Sequence, residues 1–236
     1  NRSERLWAMS ARLAREDLPL ADRLDTYLRE AHAVIHDLPL QAMLERLLGI
    51  DGAAWILGEM TGHFHLGFLS PAGVKAELLS SVAHDCGFGD SHAFFQSEIM
   101  AQELAWRAQR PEVPTAIFKA EAPPRDGKIA GVEAFTPTVE AETARTWLND
   151  GVGLHLGLGL AAPRSVERAL TLCRSSGFLP PPFFQGQPLL NVANAITVVY
   201  VDGSMDGESL RWEFYHAVEE SALSDARCSD KASADG

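Results

Sequence analysis

An internal repeat constrains this chain more than any other feature. Gly62-His63-Phe64-His65-Leu66-Gly67-Phe68-Leu69 returns ninety residues later as Gly153-Leu154-His155-Leu156-Gly157-Leu158-Gly159-Leu160. Each copy carries His-Leu-Gly inside an apolar run and is followed by a helix-like segment that stops at a Gly-Phe pair, Gly87-Phe88 or Gly177-Phe178. The step from His65 to Gly87 and from His155 to Gly177 is 22 residues in both. The copies also close alike. Asp126-Gly127 precedes Gly131-Val132-Glu133-Ala134-Phe135, and Asp206-Gly207 precedes Arg211-Trp212-Glu213-Phe214-Tyr215, with 6 residues from Gly to Glu each time. The chain reads as a duplicated unit, and each copy offers one His at its start and one Glu at its end.

Within each copy the pattern reads strand, helix, then two or three strands. Residues 62–69 and 153–160 are the opening strands. Helices follow from Pro71 to about His84 and from Pro163 to Ser175, with Val74, Leu78, Leu79 and Val82, or Val166, Ala169, Leu170 and Cys173, as buried stripes. Residues 89–109 read as a helix, or as a strand followed by a helix. Thr115–Glu121 and Lys128–Phe135 form a hairpin around Asp126-Gly127. Ala195–Val201 and Ser209–His216 form another, around a turn at 202–207. Pro180-Pro181-Pro182 forces an extended loop. The expected fold is α+β: two βαβββ modules (61–136 and 151–221) forming a curved mixed sheet around a cup. A helix starting at Thr136-Pro137-Thr138 links them over 137–150.

Ahead of the repeat, residues 1–60 carry three amphipathic helical stripes: Leu6, Met9 and Leu13; Leu20, Leu24, Tyr27, Leu28 and Ala31; Leu40, Met43, Leu44, Leu47 and Leu48, ending near Gly49. This N-terminal helical extension is a lid, a dimerisation element or a cap on the sheet. His32 and His36, four apart, read as a helix-end or solvated pair. Residues 222–236 are small and polar and read as a disordered tail.

Alternation decides what enters the cup. His63, His65 and Gly67 share one face of their strand; Gly131, Glu133 and Phe135 share another, as do Arg211, Glu213 and Tyr215. Glycines beside each His leave room for something else. A carboxylate in an apolar strand is costly to bury alone. An imidazole and a carboxylate from each module could together hold one divalent transition metal (Zn, Ni, Co, Mn or Fe), with positions left open for water or substrate. The expected ligands are His65, Glu133, His155 and Glu213. His63, two residues before His65, competes for the role, but His65 is the one in register with His155.

On these residues the chain resembles the vicinal oxygen chelate superfamily, over roughly residues 62–216, with a ligand pattern most like that of glyoxalase I. The resemblance implies two βαβββ modules around one metal. It also implies proton transfer beside a carbonyl of a small oxygen-chelating substrate, with Glu133 or Glu213 as the catalytic carboxylate. Two other activities of that superfamily stay open. One is an Fe(II) dioxygenase using His65, His155 and Glu213, with Glu133 as a base behind them. The other is a non-catalytic small-molecule binder. Arg211, Tyr215 and His63 are the substrate-binding candidates, with pairing of Arg211 to a neighbouring acid as the alternative. The cup forms within one chain, or between two in a homodimer that exchanges modules.

Charge and cysteine content fit a small-molecule partner. A net charge of -12 repels nucleic-acid phosphates and anionic membrane surfaces, and no apolar run approaches the ~20 residues of a membrane span. Cys86, Cys173 and Cys228 have no metal-type spacing and read as free thiols in a reducing compartment, the cytoplasm. No phosphate-binding glycine loop or nucleophile elbow is present.

Overall fold

The structure, a computed structural model, describes residues 2–90, 92–184, 189–191, 196–205 and 208–217. The expected tail at 222–236, Cys228, the Asp206-Gly207 turn and Ala195 lie outside the described residues.

Three helices come first: α1 (Arg2–Leu13), α2 (Leu20–His36) and α3 (Leu40–Glu59). The sequence reading ends the third near Gly49. Gly49 does leave helical geometry (φ 73°, ψ 173°), but the helix resumes beyond it and buries Ala53 and Ile56. The first module then runs β1 (Met60–Leu69), α4 (Ala76–Asp85), β2 (His92–Gln96), α5 (Glu98–Ala108), β3 (Thr115–Glu121) and β4 (Ile129–Pro137). So residues 89–109 hold a strand and then a helix. Next come the linker helix α6 (Ala141–Asn149) and the second module: β5 (His155–Leu160), α7 (Pro163–Ser175), a 3-10 turn at Pro182–Phe184, β6 (Leu189–Asn191), β7 (Ile196–Met205) and β8 (Glu208–Ala217).

Several expected boundaries differ. The helix expected from Pro71 starts at Ala76, because Gly73 (φ 77°) turns the chain left-handed ahead of it and leaves Val74 outside the helix. The strand expected from Gly153 starts at His155, because Gly153 (φ 81°) is still in the turn. Pro137 closes β4 instead of opening the linker helix, because Thr138 N–H donates to Pro114 O and keeps the chain beside the sheet. Asp202 continues β7 instead of starting a turn, held in the ladder opposite Arg211.

The strands make one eight-stranded sheet in the order β2-β3-β4-β1-β5-β8-β7-β6. Read outward from the antiparallel β1–β5 seam, the two halves have the same plan. In each, the opening strand is parallel to the closing strand (β1 with β4, β5 with β8), and the middle strands pair antiparallel outside it. The repeated Gly-Phe pair is a helix stop. Gly87 (φ 94°) and Gly177 (φ 86°) turn the chain left-handed after α4 and α7. Phe88 N–H then bonds Ala83 O at 3.0 Å, and Phe178 N–H bonds Cys173 O at 2.9 Å, which satisfies carbonyls the helix leaves open.

One face of the sheet carries the core. Phe64, Leu66 and Phe68 of β1, Leu156 and Leu158 of β5, and Trp212 and Phe214 of β8 are all buried there. Each such side chain contributes about 1.5–3 kcal/mol by leaving water. The N-terminal helices are part of this layer: α2 packs on β1 and β4, with the Tyr27 ring 4.3 Å from that of Phe68. They cap the sheet. The opposite face carries the His and Glu residues, and α5 lies across it. That helix touches β3 and β4 on one side and β6 and the 3-10 turn on the other. Its Ile99 packs on the patch formed by Val198, Tyr200 and Tyr215. Among the described residues, no helix is long and apolar enough to cross a membrane.

Candidate metal centre

Register builds the site. Gly67 of β1 faces Glu133 of β4 on one side and His155 of β5 on the other; Gly157 of β5 faces His65 of β1 and Glu213 of β8. Each glycine therefore lies between a histidine and a glutamate, and the room it leaves is taken by an imidazole. A Cβ on Gly67 would fall 2.0 Å from His155 Cε1, and one on Gly157 would fall 2.1 Å from His65 Cε1. The rings cross the seam, edge to face, with centroids 5.3 Å apart.

The four side chains converge within a single chain. Strands β4 and β8 stand three spacings apart, roughly 14 Å. Yet one donor atom from each of His65, Glu133, His155 and Glu213 lies within 4.8 Å of all the others, and all four residues are buried. His155 Nε2 is 2.9 Å from Glu213 Oε2, and His65 Nε2 is 3.5 Å from Glu133 Oε2 and 3.5 Å from Glu213 Oε2. The two Nε2 atoms are 3.3 Å apart. Donors about 2.1 Å from one metal ion sit about 3 Å apart when adjacent and about 4.2 Å apart when opposite, so this set fits such an ion.

Electrostatics point the same way. His155 Nδ1 lies 2.9 Å from Gly153 O. A carbonyl only accepts, so Nδ1 carries a hydrogen, and Nε2 is the ring nitrogen that faces Glu213 and is placed to ligate. Glu213 Oε2 is buried and, among the described residues, has no partner in hydrogen-bond geometry. A cation placed between it and His155 Nε2, 2.9 Å away, would satisfy both atoms. Burial alone would lower the His65 pKa, but the Glu133 and Glu213 carboxylates outweigh it and raise it. Burial would raise that of Glu213, but the His155 and His65 rings beside it outweigh burial and hold it well below the carboxylate range. A buried carboxylate kept ionised beside two imidazoles also attracts a metal cation.

A cleft of about 60 Å³ opens onto the cluster. It is lined by His63, His65, Lys119, Glu121, Glu133 and Tyr215. Of the substrate-binding candidates, His63 and Tyr215 are at this opening, with His63 Nδ1 3.5 Å from Glu121 Oε1. Arg211 shares the Glu213 face but is buried under α5. It donates to Glu103 Oε2 at 2.6 Å and to Asp202 Oδ1 at 2.6 Å, and it lies over the rings of Phe183 and Tyr200. Glu103 also accepts from Arg107 at 2.8 Å. His32 and His36 pack edge to face beside Phe88, away from the cluster.

Three contributors escaped the sequence reading. Lys119 of β3 faces Glu133 across the ladder and pairs with its Oε1. Tyr200 of β7 faces Glu213 at the equivalent place and bonds to it, and its ring packs edge-on to His155 at 5.4 Å. Burial and the Glu213 and Glu133 charges keep the Tyr200 hydroxyl protonated, with its pKa well above the ordinary range. The third is Glu103, which anchors Arg211. Tyr200 was within reach: counting back from a two-residue turn at 206–207 pairs it with Glu213.

No protein-family model matches the chain, and no curated protein matches it. Among solved structures it is similar to a methylmalonyl-CoA epimerase in complex with methylmalonyl-CoA and NH4+, at 15% identity and a TM-score of 0.40, over 68% of this chain and 95% of that one. A variant of the Streptomyces coelicolor methylmalonyl-CoA epimerase with 2-nitronate-propionyl-CoA gives 15% and 0.40, over 68% of this chain and 99% of that one. A variant of 4-hydroxymandelate synthase from the same organism gives 11% and 0.39, over 68% of this chain and 49% of that one. Likeness at this level says nothing about activity.

Proposed function

We propose that this chain is a metal-dependent enzyme of the vicinal oxygen chelate kind that moves a proton on a carbon beside a carbonyl, a lyase or isomerase of a small oxygen-chelating substrate. The convergence of His65, Glu133, His155 and Glu213 from four strands supports it most directly. The ion, one divalent transition metal, would polarise the substrate carbonyl. The protein supplies the rest. His65, His155 and a carboxylate hold the ion, and Glu133 or Glu213 takes the proton and returns it. The cleft, at about 60 Å³, admits only the reacting end of a substrate. His63 and Tyr215 line its approach and are the substrate-side groups. Arg211 in this reading fastens α5 to the second module and touches no substrate.

The test is exchange in heavy water. Protein loaded with Zn, Ni, Co or Mn is mixed with small α-hydroxy ketones, 2-oxo acids and malonyl-type thioesters, and the C–H signal beside the carbonyl is followed by proton NMR. Metal-dependent exchange, lost in His155→Ala, is expected. A loaded protein that exchanges none of them overturns the reading.

One observation favours an Fe(II) dioxygenase as the second reading. His65 Nε2, His155 Nε2 and Glu213 Oε2 already form a compact three-donor face, with separations of 2.9 to 3.5 Å, while Glu133 is shared with Lys119. Oxygen uptake by the iron-loaded protein, without exchange in heavy water, would select it.

A further inference from the structure

The two modules differ where it matters most. Lys119 in β3 and Tyr200 in β7 occupy equivalent places, each opposite the glutamate of its own module. Tyr200 gives Glu213 a neutral hydrogen bond, and both imidazoles stand beside the same Glu213 Oε2. Glu133 receives a positive charge from Lys119 on Oε1, and among the described residues His65 is the one imidazole within 4 Å of its Oε2, at 3.5 Å. Lys119 and Glu133 both line the cleft, whereas Glu213 and His155 lie beneath it. The Lys119 side chain stays 31% exposed at that opening, steadied over the Phe95 ring.

We infer that Lys119 is a positioning residue: it shares Glu133 with the metal site, so that Glu133, and not Glu213, is the carboxylate free to leave the ion and carry the proton. This rests on the metal reading above. An ammonium on one carboxylate oxygen weakens the other as a ligand, and it repels a divalent ion a few ångströms away. Glu213 has no such competitor among the described residues and stays bound. The substrate, entering past His63 and Tyr215, meets Glu133 first.

The experiment is a Co(II) titration of the apoprotein, read by visible absorption and chelator competition, with melting temperature as a check on folding. Lys119→Met should tighten Co(II) binding roughly tenfold or more, since the competing charge is gone. Lys119→Arg should stay near wild type. In a Glu133→Gln background, Lys119→Met should change affinity far less, because the effect passes through Glu133. Unchanged or weaker binding in a folded Lys119→Met variant would overturn the inference while leaving the metal site standing, as would an equal gain with Glu133 replaced. Failure of wild type to bind Co(II) would overturn the metal reading and this inference with it.

Discussion

The imidazole of His155 fills the space that a side chain on Gly67 would need. An added Cβ would sit 2.0 Å from its Cε1 and 2.3 Å from its Nε2, contacts no rotamer adjustment of a methyl can relieve. Gly157 stands in the same relation to His65. These glycines are shaped for the histidine of the other module, so the seam between modules and the metal centre are one construction. Gly67→Ala and Gly157→Ala should each displace a ring, abolish stoichiometric metal binding and cost about 1–3 kcal/mol through overpacking. Metal titration with denaturant melts checks both; full metal affinity in either variant would refute the register.

The repeated Gly-Phe stops predict a purely conformational effect. A Cβ at Gly177 would meet nothing within 4 Å, but φ there is 86°. Gly177→Ala should cost about 1–2 kcal/mol, the penalty of a left-handed backbone for an L-residue, and leave metal affinity unchanged. A thermal melt equal to wild type would contradict the helix-stop assignment.

Arg211 separates a structural role from a substrate role. It joins α5, through Glu103, to β7, through Asp202. Removing one partner of a buried ion pair typically costs about 3–5 kcal/mol. Arg211→Met should therefore lower stability by about that amount, and Glu103→Gln added to it should cost much less than it does alone. If Arg211 instead waited for substrate, Arg211→Met would leave the denaturation midpoint in place.

The buried thiols give a signed pH dependence. Burial, joined for Cys86 by the Asp25 carboxylate, pushes the Cys86 thiol up to about 11, and burial pushes Cys173 up to about 12. The folded state thus keeps these protons longer than the unfolded chain, whose thiols ionise near pH 9. Below that pH the thiols add no pH dependence; from there to about 11 unfolding releases protons and stability falls as pH rises. At pH 8 iodoacetamide should label neither residue until the protein is denatured, as peptide mass spectrometry will show; rapid native labelling would contradict their burial.

Much of this site was legible because the repeat supplied its own alignment: His65 with His155 and Glu133 with Glu213 could be matched by spacing alone. The partners around them were not, for identifiable reasons. In the first hairpin Asp126 and Gly127 both take positive φ, and Arg125 faces Lys128. From Glu121 back, however, the ladder is displaced by one residue, so Lys119 faces Glu133 where counting from the turn would give Ala134. That slip hid Lys119. Glu103 lies on α5, which has a weakly patterned sequence, and nothing local announces that it reaches Arg211. The glycines at 67 and 157 showed that room was left beside each His but not what fills it, because the occupant is the imidazole of the other copy. Gly49 marked a break in α3 correctly but not the helix's end, since buried Ala53 and Ile56 carry it onward.

The central claim is that four side chains from the two modules hold one divalent metal. Elemental mass spectrometry of the purified protein, before and after reloading, tests it most directly alongside His155→Ala and Gly67→Ala. The account predicts about one transition metal per chain in wild type and almost none in either variant. A wild-type protein that stays metal-free after reloading, or a His155→Ala variant that keeps its full complement, would contradict it.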